Sequence, residues 1–293
     1  MKEQVVRRAE ALLGARITGT RGVVGGFSSA ARLVIDLEDG RSAFVKAAVD
    51  ADTARWLRAE LRIYDDPGLQ AANIAPRLLA ADREEPLIVL EDLSACRRPP
   101  PWTAADVDAV LALLGRVHAA PLPAGLPGSE GYAESFRGWS RVSRAPAPFL
   151  GLGLCTEAWL RDALPRLVAA EADLRLDGDS LVHLDVRSDN LAIRPGGAVL
   201  FDWNWACRGN PELDAAFWLP HLALEDGPRP WEVRPGRPDL AAAVAGFFCF
   251  HASLPTGRPG DPPPAVRDFQ RSQGVVAIEW AARALALPAP RSP

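Results

Sequence analysis

Residues 183–203 read "HLDVRSDNLAIRPGGAVLFDW". Leu181-Val182 precede the stretch and Leu191-Ala192-Ile193 lie within it. A crowded polar cluster of His183, Asp185, Arg187, Asp189 and Asn190 therefore sits between two short strand-like runs. A second strand, "AVLFDW", follows at hairpin distance and delivers Asp202. A polar β-turn with its charges in water accounts for the cluster alone, but not for a matching acidic strand end beside it. A carboxylate and an amide on neighbouring strand ends can share a divalent cation. Mg²⁺ prefers such oxygen ligands and keeps phosphates and waters in its other positions. Asn190 and Asp202 are the candidate metal ligands. Asp185 is placed to face an incoming hydroxyl and accept its proton. His183 reads as structural, holding the loop by hydrogen bonds. Arg187 and Asp189 have no forced role: Arg187 reaches phosphate or substrate, or only pairs with a carboxylate.

Working outward, the other informative residue is Lys46. Of 33 basic residues only Lys2 and Lys46 are lysine, and Lys46 lies inside the apolar run "SAFVKAAV". A buried ammonium is costly unless it meets an anion; an edge-strand lysine that snorkels to water is the plainer alternative. The helix pattern that follows carries Glu60, and a strand lysine facing a helix glutamate fixes a cation against nucleotide phosphates. Upstream, Gly25, Gly26, Ser28 and Ser29 can form a loop that lays backbone N–H groups over phosphates, although small turn residues between strands are common without any ligand. At the end of "VLEDLSA", Glu91 and Leu93 either present backbone to a planar base or simply end a strand in water.

The periodicity predicts an α+β chain. A helix spans 2–13, strands 33–37 and 43–49 flank a hairpin turn at Gly40, a helix spans 51–64, and two strands run to Leu93. The proline-rich "SACRRPPPW" is the linker candidate. Helices follow over 104–119, about 133–142 and 157–172, then near 211–224, 239–251 and 264–287. Segments 226–236 and 254–264 read as loops, and the last residues, "LPAPRSP", as a frayed tail. The chain has 293 residues, 48% hydrophobic and 24% charged, with a net charge of −4. That gives no electrostatic case for nucleic acid. No apolar run reaches membrane-spanning length, and the charged, amphipathic N-terminus is unlike a signal peptide. Four widely spaced cysteines read as free thiols in a reducing cytoplasm.

Taken together, "FVK" with Glu60, "LLGRVHAA" (113–120), "HLDVRSDN", "LFDW" and "GNPELDAAF" (209–217) resemble, in order, the aminoglycoside phosphotransferase and choline kinase-like family of the protein kinase-like fold. The resemblance covers essentially the whole chain. It implies a bilobal fold, with a nucleotide-binding lobe over 1–93 and a mainly helical catalytic and substrate-binding lobe over 94–293. It implies that Lys46 binds the phosphates of ATP, with GTP as an alternative, and that Glu60 orients Lys46. Asp185 becomes the catalytic aspartate, Asn190 and Asp202 the Mg²⁺ ligands, and Asp214 a structural brace for the catalytic loop. Three departures stand out: Leu184 where the family often has Gly, Arg187 where many relatives have His, and Trp203-Asn204-Trp205 after the metal aspartate.

The turn at Gly209-Asn210-Pro211 follows Asp202 almost at once, leaving no room for an activation loop. The expected acceptor is therefore a hydroxylated small molecule rather than a protein. Most tryptophans read as core, but Trp203 and Trp205 flank the metal-binding strand end and are candidates to line the acceptor cleft. Aromatic faces suit sugars, nucleosides or macrocycles. An antibiotic acceptor is the leading expectation; choline, homoserine or a metabolic sugar is the alternative, and a nucleotide-binding module without transfer is the third.

Overall fold

The computed structural model describes residues 2–23, 29–257 and 261–290. Helix α1 (Lys2–Leu13) is followed by strands β1 (Ile17–Gly22), β2 (Ala31–Leu37) and β3 (Ser42–Ala47), then helices α2 (Ala51–Tyr64) and α3 (Pro67–Ala71) and strands β4 (Leu78–Asp82) and β5 (Leu87–Glu91). Helices α4 (Ala104–Ala119), α5 (Gly138–Val142), α6 (Ala147–Leu150) and α7 (Glu157–Ala172) come next. Strands β6 (Ser180–Val182), β7 (Leu191–Arg194), β8 (Gly197–Leu200) and β9 (Cys207–Gly209) precede helices α8 (Glu212–Leu224), α9 (Pro230–Val233), α10 (Pro238–Ala252) and α11 (Pro264–Ala284). The chain is α+β and forms two compact units. One comprises Met1–Pro99, Thr103–Pro127 and Ser180–Arg208; the other comprises Pro100–Trp102, Gly128–Asp179 and Gly209–Pro293.

The first unit is built on a five-stranded sheet in the order β1-β2-β3-β5-β4, with antiparallel neighbours. Side chains alternate between the faces of a strand. Leu33, Ile35 and Leu37 of β2 thus share a face with Ala43, Val45 and Ala47 of β3, and this face packs against Val5 and Ala9 of α1. The residues between them, Val34 on β2 and Phe44 and Lys46 on β3, point the other way. The register sets Phe44 against Leu90 and Lys46 against Ile88 of β5. Gly40 takes φ +81° in the β2–β3 turn, which its lack of a Cβ permits. A capping box starts α2: the Asp50 carboxylate accepts from Thr53 N–H, and the Thr53 hydroxyl accepts from Asp50 N–H. Helix α4 packs on β6 and β8. The β7–β8 hairpin pairs Leu191 with Leu200 and places Asn190 and Phe201 just beyond its open end.

The second unit is helical, with α10 packed against α5, α7 and α11. Close approach of α5 to α10 requires Gly138, since a Cβ there would fall 1.9 Å from the Gly246 carbonyl oxygen. The N–H groups at the start of α5, which have no partner within the helix, are met by Glu171 of α7, whose carboxylate accepts from Trp139 N at 2.8 Å and Ser140 N at 3.0 Å.

Several expectations change. The helix expected over 133–142 covers only Gly138–Val142, after a separate 3₁₀ turn at Ser129–Tyr132. Strand β1 and the short helices α3, α6 and α9 lie where no element was expected. The proline-rich linker begins as paired backbone: Arg97 and Ile193 exchange hydrogen bonds of 3.0 and 2.8 Å. The tail is held as far as Pro288, whose carbonyl accepts from the Trp159 indole N–H at 2.8 Å.

Candidate active site

Lys46 is buried, and its ammonium donates to two carboxylates, Glu60 and Asp202, each at 2.6 Å. Three elements make this possible. Strand β3 aims the lysine at the face opposite α1, α2 carries Glu60 on its inner side, and the segment after β8 supplies Asp202. Glu60 is 1% exposed, and burial pushes its carboxyl up to about 7 against the pull of Lys46. Burial also opposes charge on Lys46, but Glu60 and Asp202 outweigh it and hold the ammonium above its ordinary range. Asp202 goes the opposite way to Glu60. It too is penalised by burial, yet its side chain is 31% exposed and Lys46 holds it below the usual carboxylate range. Tyr64, four residues beyond Glu60 on the same helix face, accepts from the Asp202 backbone N–H at 3.2 Å.

The polar cluster of the sequence forms a tied loop. Asp185 N–H donates to His183 Nδ1 at 3.2 Å. The ring proton of His183 is therefore on Nε2, which donates to the Phe201 carbonyl at 3.1 Å. Trp203 packs edge-on against this imidazole, with centroids 4.5 Å apart. Asn190 Nδ2 donates to the Asp185 carbonyl at 2.9 Å and to its carboxylate at 2.8 Å, which turns Asn190 Oδ1 away from Asp185. Arg187 forks onto Asp189 at 2.9 and 2.8 Å, and its Nε lies 3.7 Å from Asp185 Oδ1. Burial raises the Asp185 carboxyl above its ordinary range, opposed by the Arg187 charge. Leu184 and Asp202 both sit in the left-handed region, at φ +61° and +68°. Such conformations gather at functional sites, where the surroundings enforce them.

Part of this set borders a cavity of about 490 Å³, whose lining among the described residues belongs to the first unit. Lys46, Glu60, Asn190 and Asp202 line it together with the apolar residues Val34, Phe44 and Leu90. The volume is that of a small-molecule site. The donor set fits a hard cation: Asn190 Oδ1 and the Asp202 carboxylate are oxygen ligands few enough to leave positions for phosphate and water. Among the described residues no group of three or more His, Cys, Asp or Glu side chains would hold a metal unaided.

The family model described as "Phosphotransferase enzyme family" matches residues 19–252. The chain belongs to that family. No curated protein sequence matches this phosphotransferase. Solved structures do: a choline/ethanolamine kinase family protein from Mesorhizobium loti (TM-score 0.63, 16% identity, 97% of this chain and 98% of that one); choline kinase LicA from Streptococcus pneumoniae (0.58, 15%, 98% and 99%); and a spectinomycin phosphotransferase in complex with ADP and spectinomycin (0.58, 13%, 97% and 98%). At these identities the likeness establishes the kinase-like fold. Family membership makes the chain a phosphotransferase acting on hydroxyl groups of small molecules.

Within this phosphotransferase the expected site residues divide. Lys46, Glu60, Glu91, Leu93, Asp189, Asn190 and Asp202 line the cavity, and Asp185, His183 and Arg187 adjoin it. The Glu91 side chain is engaged by Arg194, which also binds Asn73, and its backbone N–H donates to the Arg77 carbonyl at 2.9 Å. Gly25, Gly26 and Ser28 lie outside the described residues. Ser29 turns its hydroxyl to Asp50 at the α2 cap, 2.9 Å away. Trp203 corrects the acceptor-cleft expectation: it is fully buried, its indole N–H donates to the Leu200 carbonyl, and it braces His183. Trp205 is 44% exposed. Asp214 is fully buried in the first turn of α8, in the second unit. Tyr64, Phe44, Phe201 and Arg98 line the cavity unanticipated. Helical and strand spacing from Glu60 and Lys46 pointed to the first two, but nothing in the sequence marked Arg98, whose guanidinium lies 4.8 Å from the centre of the Phe201 ring.

Proposed function

We propose that this chain transfers the γ-phosphoryl group of ATP to a hydroxyl of a small-molecule antibiotic, of aminoglycoside, macrolide or nucleoside type, in the cytoplasm. The observation that carries the phosphotransfer is the convergence of Lys46, Glu60, Asn190 and Asp202 on one cavity, with Asp185 tied to Asn190 at its edge. In this reading residues 1–93 are the nucleotide-binding part, completed by Asn190 and Asp202 from residues 94–293, which also supply catalysis and acceptor binding.

Each side chain has a physical task. Lys46, held by Glu60, meets the nucleotide phosphates as a buried cation. The apolar face of Val34, Phe44 and Leu90 takes the base, with GTP as the alternative nucleotide. Asn190 Oδ1 and Asp202 would hold Mg²⁺, whose charge offsets that of the phosphates. Asp185 orients the acceptor hydroxyl and takes its proton. Its raised affinity for a proton suits a base, and Asn190 and Arg187 fix its direction. His183 and Trp203 keep the loop in place. The antibiotic acceptor rests on the resemblance of the sequence to the aminoglycoside phosphotransferase group, and on Trp205, half-exposed beyond Asp202, as an aromatic face for a ring.

The test is a screen of antibiotic and metabolic alcohols with Mg-ATP, read by ADP release and product mass. Asp185→Ala is expected to lower kcat by about 10³-fold or more while leaving Mg-ATP affinity within a few fold. Near wild-type turnover in that variant would remove Asp185 from the mechanism. Turnover of choline, homoserine or a metabolic sugar in place of any antibiotic would move the enzyme to metabolism.

A further inference from the structure

We propose that Tyr64 is a positioning residue for Asp202: its phenol oxygen fixes the backbone of that acid and so sets how firmly the carboxylate holds Mg²⁺. This rests on the phosphotransfer reading above. The observation is a single peptide unit, Phe201–Asp202, held at both ends by side chains from two different elements. Its carbonyl accepts from His183 Nε2 at 3.1 Å, and its N–H donates to the Tyr64 oxygen at 3.2 Å. Both side chains are fully buried, so neither bond has to compete with bulk water.

A peptide unit is planar, so holding its two polar ends fixes the plane. The angle φ of Asp202 is the rotation between that plane and the rest of the residue. It stands at +68°, a region that a residue with a Cβ avoids unless its surroundings enforce it. The grip on the peptide therefore sets the direction in which the Asp202 carboxylate leaves the chain. The same run also carries the other candidate ligand, since Phe201 N–H donates to the Asn190 carbonyl at 2.9 Å. The carboxylate has a second anchor in Lys46, at 2.6 Å. A cation and Lys46 draw on the same carboxylate, whereas the bond to Tyr64 lies in the backbone and is untouched by that exchange.

Tyr64 is the last residue of α2, one turn after Glu60. Both lie on one face of the helix, and both reach Asp202: Glu60 through Lys46, and Tyr64 directly. Helix α2 thus holds the acid by two routes that answer to different chemistry. Nucleotide phosphates draw on Lys46, while the phenol route stays in place. Phenylalanine at this position would fill the same space and remove only the oxygen, leaving the Asp202 N–H buried without its acceptor. Losing a hydrogen-bond partner that orients a metal ligand costs about 10–100-fold in metal affinity.

The Kd of ADP is measured by calorimetry with and without Mg²⁺, for the wild type and Tyr64→Phe; the ratio of the two values reads the metal. Tyr64→Phe is expected to bind metal-free ADP within about threefold of wild type and to lose about tenfold of the gain that Mg²⁺ confers. The chain has two tyrosines, Tyr64 and Tyr132, the latter in the second unit. Uniform 3-fluorotyrosine therefore gives a second readout without replacing Tyr64, and Tyr132→Phe assigns the two fluorine lines. With ADP bound, adding Mg²⁺ is expected to shift the Tyr64 line and leave the Tyr132 line in place. The proposal is overturned if the Mg²⁺ gain survives Tyr64→Phe within about threefold. It is equally overturned if ADP weakens by the same factor with and without metal, which would make Tyr64 only a wall of the cavity. Where Tyr64→Phe melts below the assay temperature, the fluorine line decides, and a Tyr64 line that ignores Mg²⁺ overturns the proposal. A wild type that binds no ADP, or gains nothing from Mg²⁺, removes the phosphotransfer reading itself, a distinct result.

Discussion

Leu184 is the one residue of the loop 183–190 held at positive φ. At φ +61° its Cβ crowds the following carbonyl, at a cost of about 1–2 kcal/mol. The residues on either side set this angle: Asp185 N–H must reach back to His183 Nδ1, and His183 must reach Phe201. A glycine adopts the same turn without the clash, which gives a physical reason for glycine at this place in the families the sequence resembles. Leu184→Gly is therefore expected to unfold in urea at the wild-type midpoint or above it, the relief of strain offsetting the half-buried side chain it gives up. Leu184→Val, β-branched, is expected to lose about 1–2 kcal/mol more. A clear loss of stability in the glycine variant would show that the leucine side chain, not the turn, governs this position. The strained angle was marked only by the glycine that the resembled family often has in place of Leu184, whereas Lys46 and Glu60 were marked by the residues themselves, because a lone lysine in an apolar strand needs an anion. What sequence could not supply was that Lys46 has a second one, in Asp202.

At the scale of elements, helix α5 depends on a side chain from another helix. Glu171 accepts from two N–H groups at its start, yet burial pushes its carboxyl up to about 7. The raised value fixes the sign of the pH effect. Folded protein binds a proton here between about 4.5 and 7 that the unfolded chain has released, so this group's contribution to stability is greatest below that window, falls as pH rises through it, and is level above. Each unit of pKa difference is worth about 1.4 kcal/mol. Glu171→Gln is expected to be less stable than wild type at pH 5, having lost one acceptor, and to lack this part of the decline between pH 5 and 8. Urea unfolding at the two pH values checks it, and an unchanged difference between the two proteins would exclude Glu171 as the titrating group. Elements with strong local signals were legible: α2 and α4 end where periodicity and the following turn or proline place their ends. Helix α5 was overextended because apolar spacing continues through residues 133–137, while the chain there is committed to a turn. Strand β1, "ITGTRG", has two glycines and little apolar content, so only pairing with β2 makes it a strand.

At the scale of the whole molecule, the cavity's lining among the described residues belongs to one unit. Mg-ADP at about a hundred times its Kd adds about 2.7 kcal/mol to the state that binds it. Hydrogen exchange is expected to slow over 31–47, 51–64 and 180–202 and to stay unchanged over α10 and α11. Equal slowing in both units would show that they open as one. Among the described residues no helix is long and apolar enough to cross a membrane, and the four cysteines are not joined in disulfides. The division of the chain has a further consequence for anyone cutting it into pieces. Each unit is discontinuous in sequence, drawn from three separate segments, and the backbone passes from one to the other and back. A fragment ending at Leu93 would carry Lys46 and Glu60 but leave Asp202 behind, stranding two charges that were buried against each other and a third. Independent expression of the amino-terminal third is for that reason a poor route to a nucleotide-binding module, whereas a circular permutant that keeps 180–208 joined to 1–127 preserves every group that borders the cavity.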